Sequence, residues 1–287
     1  MKNFKEEVME IREKLGDRDN KKYDILPAVH ISANNLDELY FNVVNEALKH
    51  GRVNFVDEGS RKGKYRLEFD YVTINVANPT QRPLAPQPRP GVLVTTNEEK
   101  IEEYARDYLL NGSLISKDKP KEDLTEYKYA SWIVGIPEDE PLTKNGIPRG
   151  TRLNQLEWCV NHFTKKGYGN NHCYISVGGA EGLQRYDWPW KEETERGTSE
   201  CLRGLDFKIR DNKLNLACVF RSWDLIAGLP QNLGGLAILM ETTADWINSV
   251  KPDNLPKVTP GTIYGSSHGL HIYEDGLDVA KALTNID

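Results

Sequence analysis

The 287-residue sequence has no apolar run near the ~20 residues that a membrane-spanning helix needs. Residues 1–19, MKNFKEEVMEIREKLGDRD, are charged and lack the apolar centre of a secretory signal. Cysteine is scarce. Cys159, Cys173, Cys201 and Cys218 are well separated and form no CxxC pair, so neither a zinc site nor a disulfide framework is expected. Positive charge is not in excess either: 37 Lys and Arg face 43 Asp and Glu, a net charge of −6. Broad nucleic-acid or membrane-surface binding needs the opposite balance. A small anionic ligand stays possible, because a few placed arginines suffice for it. The expectation is a cytosolic protein without metal. Each cysteine is then either a small buried hydrophobe or a reactive thiol.

What is present is an ordered globular composition, 38% hydrophobic and 28% charged. Helical spacing runs over 3–15 (Phe4, Val8, Ile11, Leu15) and 35–50 (Leu36, Leu39, Val43, Val44, Leu48), each ending at a glycine. A glycine-bearing basic stretch, GSRKGKYR at 59–66, leads into LEFDYVTINVAN at 67–78, which reads as a strand. The proline-dense 79–91 reads as an extended surface segment rather than a domain linker. Helices are expected at 98–111, 152–165 and 232–250, a charged loop at 113–125, and strands at 173–177, 205–209 and 215–221. Strands and helices are interspersed. The expectation is an α+β fold in one domain over 1–287, with a large mixed or antiparallel sheet, flanking helices and an N-terminal extension at 1–30.

Residues 201–240 are the most informative: CLRGLDFKIRDNKLNLACVFRSWDLIAGLPQNLGGLAILM. A cysteine precedes two strands. The second delivers Arg221-Ser222-Trp223-Asp224, then Gly228-Leu229-Pro230-Gln231-Asn232 and a helix. This resembles the thymidylate synthase superfamily, in which a nucleophilic Cys is followed by Arg-Ser-x-Asp and Gly-Leu-Pro-x-Asn at fixed spacing. The register holds without a gap from Cys201 to Leu239, and His271-Ile272-Tyr273 resembles the family's His-x-Tyr. Several polar residues in register over about forty positions make a specific signal, where a lone RSxD would be weak.

The chemistry of such residues agrees. Carbon 5 of a pyrimidine is a poor nucleophile until a thiolate adds to carbon 6. The thiol must then ionise near neutral pH, and a nearby guanidinium such as Arg221 favours the anion. The resemblance implies that Cys201 is the nucleophile of a homodimeric one-carbon transferase. Arg221 and Ser222 would bind the phosphate of a nucleotide substrate, and Asn232 would read the base. Asp224, with Gly228, would face a pterin cofactor, either methylene-tetrahydrofolate or methylene-tetrahydromethanopterin. His271 and Tyr273 would hold the ribose hydroxyl. It also implies a phosphate-covering arginine, Arg61 with Arg66 as competitor. A water-organising glutamate would be Glu103, with Glu102 and Glu99 as rivals. Tyr129 resembles an active-site tyrosine.

A carboxamide at 232 matches uracil's acceptor at oxygen 4 and donor at N3, which tilts the substrate toward dUMP, although a flipped amide presents the opposite pattern. Blander roles stand beside these. Cys159, Cys173 and Cys218 read as core, Asp224 could cap the turn before Gly228, and Asn232 could cap the following helix. His271 could be a core histidine, and His268 lacks any supporting motif.

Three departures from the family bear on the product. Asn170-Asn171-His172 stands where a Ser-Arg-Arg is usual, with Arg152, Arg185, Arg196 or Arg203 as possible compensation. Glu200 replaces the proline usual before the nucleophile, and a carboxylate there would oppose thiolate formation unless it points away. The sequence ends 14 residues after Tyr273, as in the short archaeal and phage-type branch. Hydride transfer yields a methyl group and water yields a hydroxymethyl group, so exclusion of water decides the outcome. The expected function is conversion of dUMP to dTMP. The alternatives are a dUMP or dCMP hydroxymethylase and an inactive nucleotide-binding homologue.

Overall fold

The computed structural model describes residues 3–14, 28–57, 61–115, 128–144, 146–183, 186 and 199–284. Residues 116–125 of the loop expected at 113–125, Gly59-Ser60, and the compensation candidates Arg185 and Arg196 lie outside the described residues. In chain order the first elements are α1 (Phe4–Lys14), β1 (Ala28–Ala33), α2 (Leu36–His50), β2 (Arg52–Phe55), β3 (Tyr65–Glu68), β4 (Tyr71–Val76) and α3 (Glu98–Tyr104). Then come α4 (Ala130–Ile133), β5 (Thr143–Lys144), β6 (Ile147–Pro148), α5 (Gln155–Lys166), β7 (Tyr174–Ser176), β8 (Leu202–Arg210) and β9 (Lys213–Phe220). The last are β10 (Trp223–Asp224), α6 (Leu229–Val250), β11 (Thr259–Ser267), β12 (Leu270–Tyr273) and α7 (Leu277–Thr284). Six strands form one mixed sheet in the order β1-β4-β11-β9-β8-β7, and four form a second in the order β10-β12-β3-β2. The expected α+β class with a large mixed sheet and flanking helices is what the chain adopts.

Two compact units divide these elements: residues 1–101, 220–234 and 264–287 in the first, 102–219 and 235–263 in the second. In the first, α2 buries Leu36, Leu39, Tyr40, Val43, Val44, Ala47 and Leu48, the stripe its spacing predicts. Each fully buried leucine or valine there contributes roughly 1.5–3 kcal/mol. Asn35 caps the helix by accepting from the amide of Glu38 at 2.9 Å. Helix α1 is no loose extension. It buries Phe4, Val8 and Ile11, and Arg12 donates to the carbonyls of Leu48 and Gly51 at the end of α2. Strand β1 runs parallel to β4, from Ala28 opposite Tyr71 to Ala33 opposite Val76.

The single strand expected at 67–78 is two. The chain leaves the four-stranded sheet after Glu68, where Phe69 donates to the carbonyl of Leu270 (3.0 Å), and enters the six-stranded sheet at Tyr71. The proline-dense segment is not all surface. Pro79, Leu84, Ala85 and Pro86 are buried. Its backbone is pinned by Glu98, which accepts from Ala85 (2.6 Å), and by Asp37, which accepts from Gln87 (2.6 Å).

In the second unit, the helix expected at 98–111 continues past α3 as a π-turn, Ala105–Leu109, with Leu110 donating to the carbonyl of Ala105 at 3.1 Å. Strands β7 and β8 pair antiparallel, with Ile175 opposite Leu205. Ile175, Leu205, Phe207 and Ile209 are buried, whereas Tyr174, Asp206 and Arg210 alternate to solvent. Strand β9 alternates likewise, with Leu214, Leu216 and Cys218 buried and Val219 exposed. Helix α6 begins three residues before its expected start, with Pro230 in the first turn where its missing N–H costs nothing. Asn232 therefore lies inside the helix and is not its cap. Among the described residues no helix is long and apolar enough to cross a membrane.

Candidate functional site

In the first unit the predicted residues gather at the ends of β10 and β12. These short strands are parallel, with Trp223 opposite Leu270 and Asp224 opposite His271. Strand β12 pairs antiparallel with β3, which sets His271 opposite Glu68 and Tyr273 opposite Arg66. Arg221 and Ser222 precede β10, exposed and half-exposed respectively. Their backbone runs within 3.1 and 3.4 Å of where a Cβ on Gly269 would sit, so a side chain there would be tight.

His271 is 1% exposed. Its Nδ1 lies 2.7 Å from the Gly269 carbonyl, which makes Nδ1 the protonated nitrogen. Nε2 is buried and has no hydrogen-bond partner among the described residues. Burial pushes the imidazole down to about 4; the Gly269 carbonyl opposes this and Arg66 adds to it. His271 is thus a neutral acceptor at physiological pH. Tyr273 stands beside it, ring centroids 4.3 Å apart. The Arg61 guanidinium lies 5.1 Å from the Tyr273 ring and pairs with Asp275. Arg66 is instead tied to Glu68 at 2.9 Å. His268 packs against Tyr71.

Asp224 does cap its turn: Oδ1 accepts from Ile226 and Ala227, both at 3.0 Å, and its carbonyl accepts from Gly228 at 3.0 Å. Burial nevertheless raises its carboxyl above the ordinary range, against the pull of those amides and of Arg61. Tyr40 of α2, not foreseen from the sequence, is within reach of its charge. Burial first, and then the Asp224 charge, push that phenol up. Asn232 is half-exposed in the first turn of α6, and its Oδ1 accepts from the Trp223 indole Nε1 at 3.0 Å.

In the second unit Cys201 immediately precedes β8, and it alone of the four cysteines is not buried. The next amide, of Leu202, donates to the Tyr129 hydroxyl at 3.4 Å, so the structure brings Tyr129 to the cysteine. Glu200 is fully buried, and its Oε1 accepts from the Trp132 indole at 3.0 Å. Gly178, at φ +72°, leaves the room into which Glu200 Oε2 and Arg203 Nη1 both reach, 2.8 and 2.7 Å from where its Cβ would be. One oxygen of the carboxylate beside Cys201 is thereby turned toward the Trp132 indole. Neither Trp132 nor the burial of Glu200 carried a signal in the sequence.

The other candidates sit elsewhere. Glu103, Glu102 and Glu99 are exposed on α3. A cavity of about 530 Å³ beside the π-turn is lined by Glu102, one of the rival glutamates, together with Arg106, Asp107, Asn111 and Ile238. Arg152 is spent on the carbonyls of Ile136, Pro137 and Glu140, so it holds a loop. His172, in the stretch that replaces the arginine pair, bonds His162 at 3.0 Å. Among the described residues no three His, Cys, Asp or Glu side chains gather as a metal-binding group.

The chain thus carries a half-exposed thiol just before one strand, and a polar cluster on β10, β12 and the first turn of α6, within an α+β fold. The chain is 27% identical over 252 residues to a Methanosarcina mazei protein named "Putative thymidylate synthase", covering 88% of this chain and 92% of that one. Proteins of the same name from Methanosarcina acetivorans (25%, 88% and 92% covered) and Methanococcoides burtonii (23%, 86% and 91% covered) are similar over the same span. No family model matches the chain. The resemblance to thymidylate synthases thus extends along most of the sequence and is not confined to residues 201–240.

Proposed function

We propose that this chain is a thymidylate synthase that converts dUMP to dTMP, acting as one catalytic domain and as a homodimer in the cytosol. The observation that carries the reading is Cys201, the one cysteine that burial leaves accessible, with Tyr129 at the adjoining amide. In this reading the Cys201 thiolate adds to carbon 6 of the base, and carbon 5 then attacks the one-carbon unit. The Tyr129 hydroxyl would hold the water that takes the proton from carbon 5 as the one-carbon unit parts from its carrier nitrogen; once hydride has reduced that carbon, departure of the Cys201 thiolate would restore the ring. Arg221, Ser222 and Arg61 take the phosphate. His271 Nε2, an acceptor at physiological pH, takes a ribose hydroxyl together with Tyr273. Asn232 contacts the base. Glu103, exposed on α3, would order water.

Asp224 and Gly228 would hold the reduced pterin. A desolvated carboxylate suits the N–H-rich edge of such a ring, whose methylene form supplies the one-carbon unit and the hydride. The relatives come from methanogenic archaea, which favours methylene-tetrahydromethanopterin alongside methylene-tetrahydrofolate. The exposed Tyr174 and Val219 of β7 and β9, 53% and 44% accessible, support pairing of two copies through this sheet face.

Replacement at carbon 5 must release the hydrogen there. With dUMP tritiated at carbon 5 and a methylene-tetrahydropterin, the protein should release tritium to water, and Cys201→Ala should release none. Release by Cys201→Ala at the wild-type rate would refute the reading.

A further inference from the structure

We propose that Trp223 sets the base specificity of the nucleotide site. Its indole N–H fixes the Asn232 carboxamide in the one orientation that accepts a 4-keto pyrimidine and rejects a 4-amino one. This deepens the reading of Asn232 as the group that contacts the base, and rests on it.

Trp223 is 2% exposed, and its ring stacks on Phe220 with centroids 4.1 Å apart and planes 10° from parallel. The ring is therefore held in place before any ligand arrives. An indole N–H can only donate. A buried donor left without an acceptor is destabilising, so the indole needs a partner. Here the acceptor is Asn232 Oδ1, at 3.0 Å. Asn232 is itself anchored in the first turn of α6, its amide donating to the Gly228 carbonyl at 2.8 Å.

Turning the carboxamide over would set its NH2 against the indole N–H, donor facing donor. The orientation with Oδ1 toward Trp223 is thereby fixed, and Nδ2 is directed elsewhere as a donor. Oδ1 carries two lone pairs and can take a ring N–H alongside the indole. Uracil meets this pattern, with oxygen 4 accepting from Nδ2 and N3–H donating to Oδ1. Cytosine opposes it at both atoms: its amino group faces Nδ2, and its bare N3 faces Oδ1. An asparagine with no such neighbour could turn over to suit either base. Discrimination therefore comes from the Trp223–Asn232 pair and not from the identity of Asn232. Trp223 acts through Asn232, as a positioning residue.

Trp223→Phe keeps an aromatic ring over Phe220 and deletes the donor. Trp223→Met, flexible enough to fill the same space, deletes it in a different shape. Affinities for dUMP and dCMP, and kcat/KM with each, should be measured for both variants and the wild type. The wild type should prefer dUMP. The ratio of dUMP to dCMP should fall at least about tenfold in either variant, equivalent to about 1.4 kcal/mol. In an Asn232→Ala background, Trp223→Phe should leave the ratio unchanged, because the indole works only through the amide. Equal losses for both nucleotides with the ratio preserved would make Trp223 a packing residue and overturn the proposal. A wild-type preference for dCMP would overturn it too. Binding of neither nucleotide by the wild type would overturn the nucleotide reading itself, and the proposal with it.

Discussion

Cys159, Cys173 and Cys218 are each at most 1% exposed. Burial pushes the Cys218 thiol up to about 12, and the bond to Cys173, then burial, raise that of Cys159. None of the three is placed to react, so alkylation at neutral pH should modify Cys201 first, as peptide mapping would show. His271 offers a pH signature. It binds its proton less tightly folded than unfolded, where the value is near 6.5. Its contribution is therefore intact above about pH 6.5 and lost as pH falls toward about 4. Stability should drop over that window by on the order of 3 kcal/mol, and His271→Gln should flatten the drop; an unchanged slope in the variant's denaturant midpoints would count against a buried neutral imidazole.

Asp224 behaves in the opposite sense. Its raised carboxyl penalises the folded state at neutral pH, and the penalty vanishes as the group protonates on acidification. Asp224→Asn can keep both amide contacts, so it should melt higher than the wild type at pH 7, converge with it below about pH 4, and lose activity. Individual residues were legible where they sat inside a motif, as Cys201, Asp224 and Asn232 did. Trp132, Glu200 and Tyr40 were not, because their roles come from burial and from partners 68 residues away in the case of Trp132 and Glu200.

Among the elements, α2 and α5 could be read from apolar spacing and their asparagine caps alone. The break between β3 and β4 was also written in the sequence, though easily missed. The buried apolar positions step from 67 and 69 to 72, 74 and 76, a change of phase that a single strand does not tolerate. The proline-dense segment misled because proline reports backbone geometry and says nothing about which side chains are covered. Helix α1 matters to stability beyond its position near the terminus. Ile11 is 3% exposed against its neighbours, so Ile11→Ala should cost about 2–4 kcal/mol in urea denaturation, and no loss would mean that α1 is not docked in solution.

At the scale of the whole molecule, the fold class followed from interspersed strands and helices, whereas the order of the six-stranded sheet did not. Sheet order depends on pairings distant in sequence, which no local pattern records. Assembly is likewise a property of the folded surface. If the face bearing Tyr174 and Val219 joins two copies, sedimentation should give a dimer, and Val219→Arg should yield monomers with intact secondary structure. A wild-type monomer at micromolar concentration would exclude that pairing.

The central claim is the reaction, and its product can be weighed. Purified protein incubated with dUMP, or separately with dCMP, and a methylene-tetrahydropterin should turn dUMP alone into a nucleotide heavier by one methylene group, about 14 Da, with oxidation of the pterin. A product carrying a hydroxymethyl group with no pterin oxidation, or no product from either nucleotide with either pterin, would contradict the account.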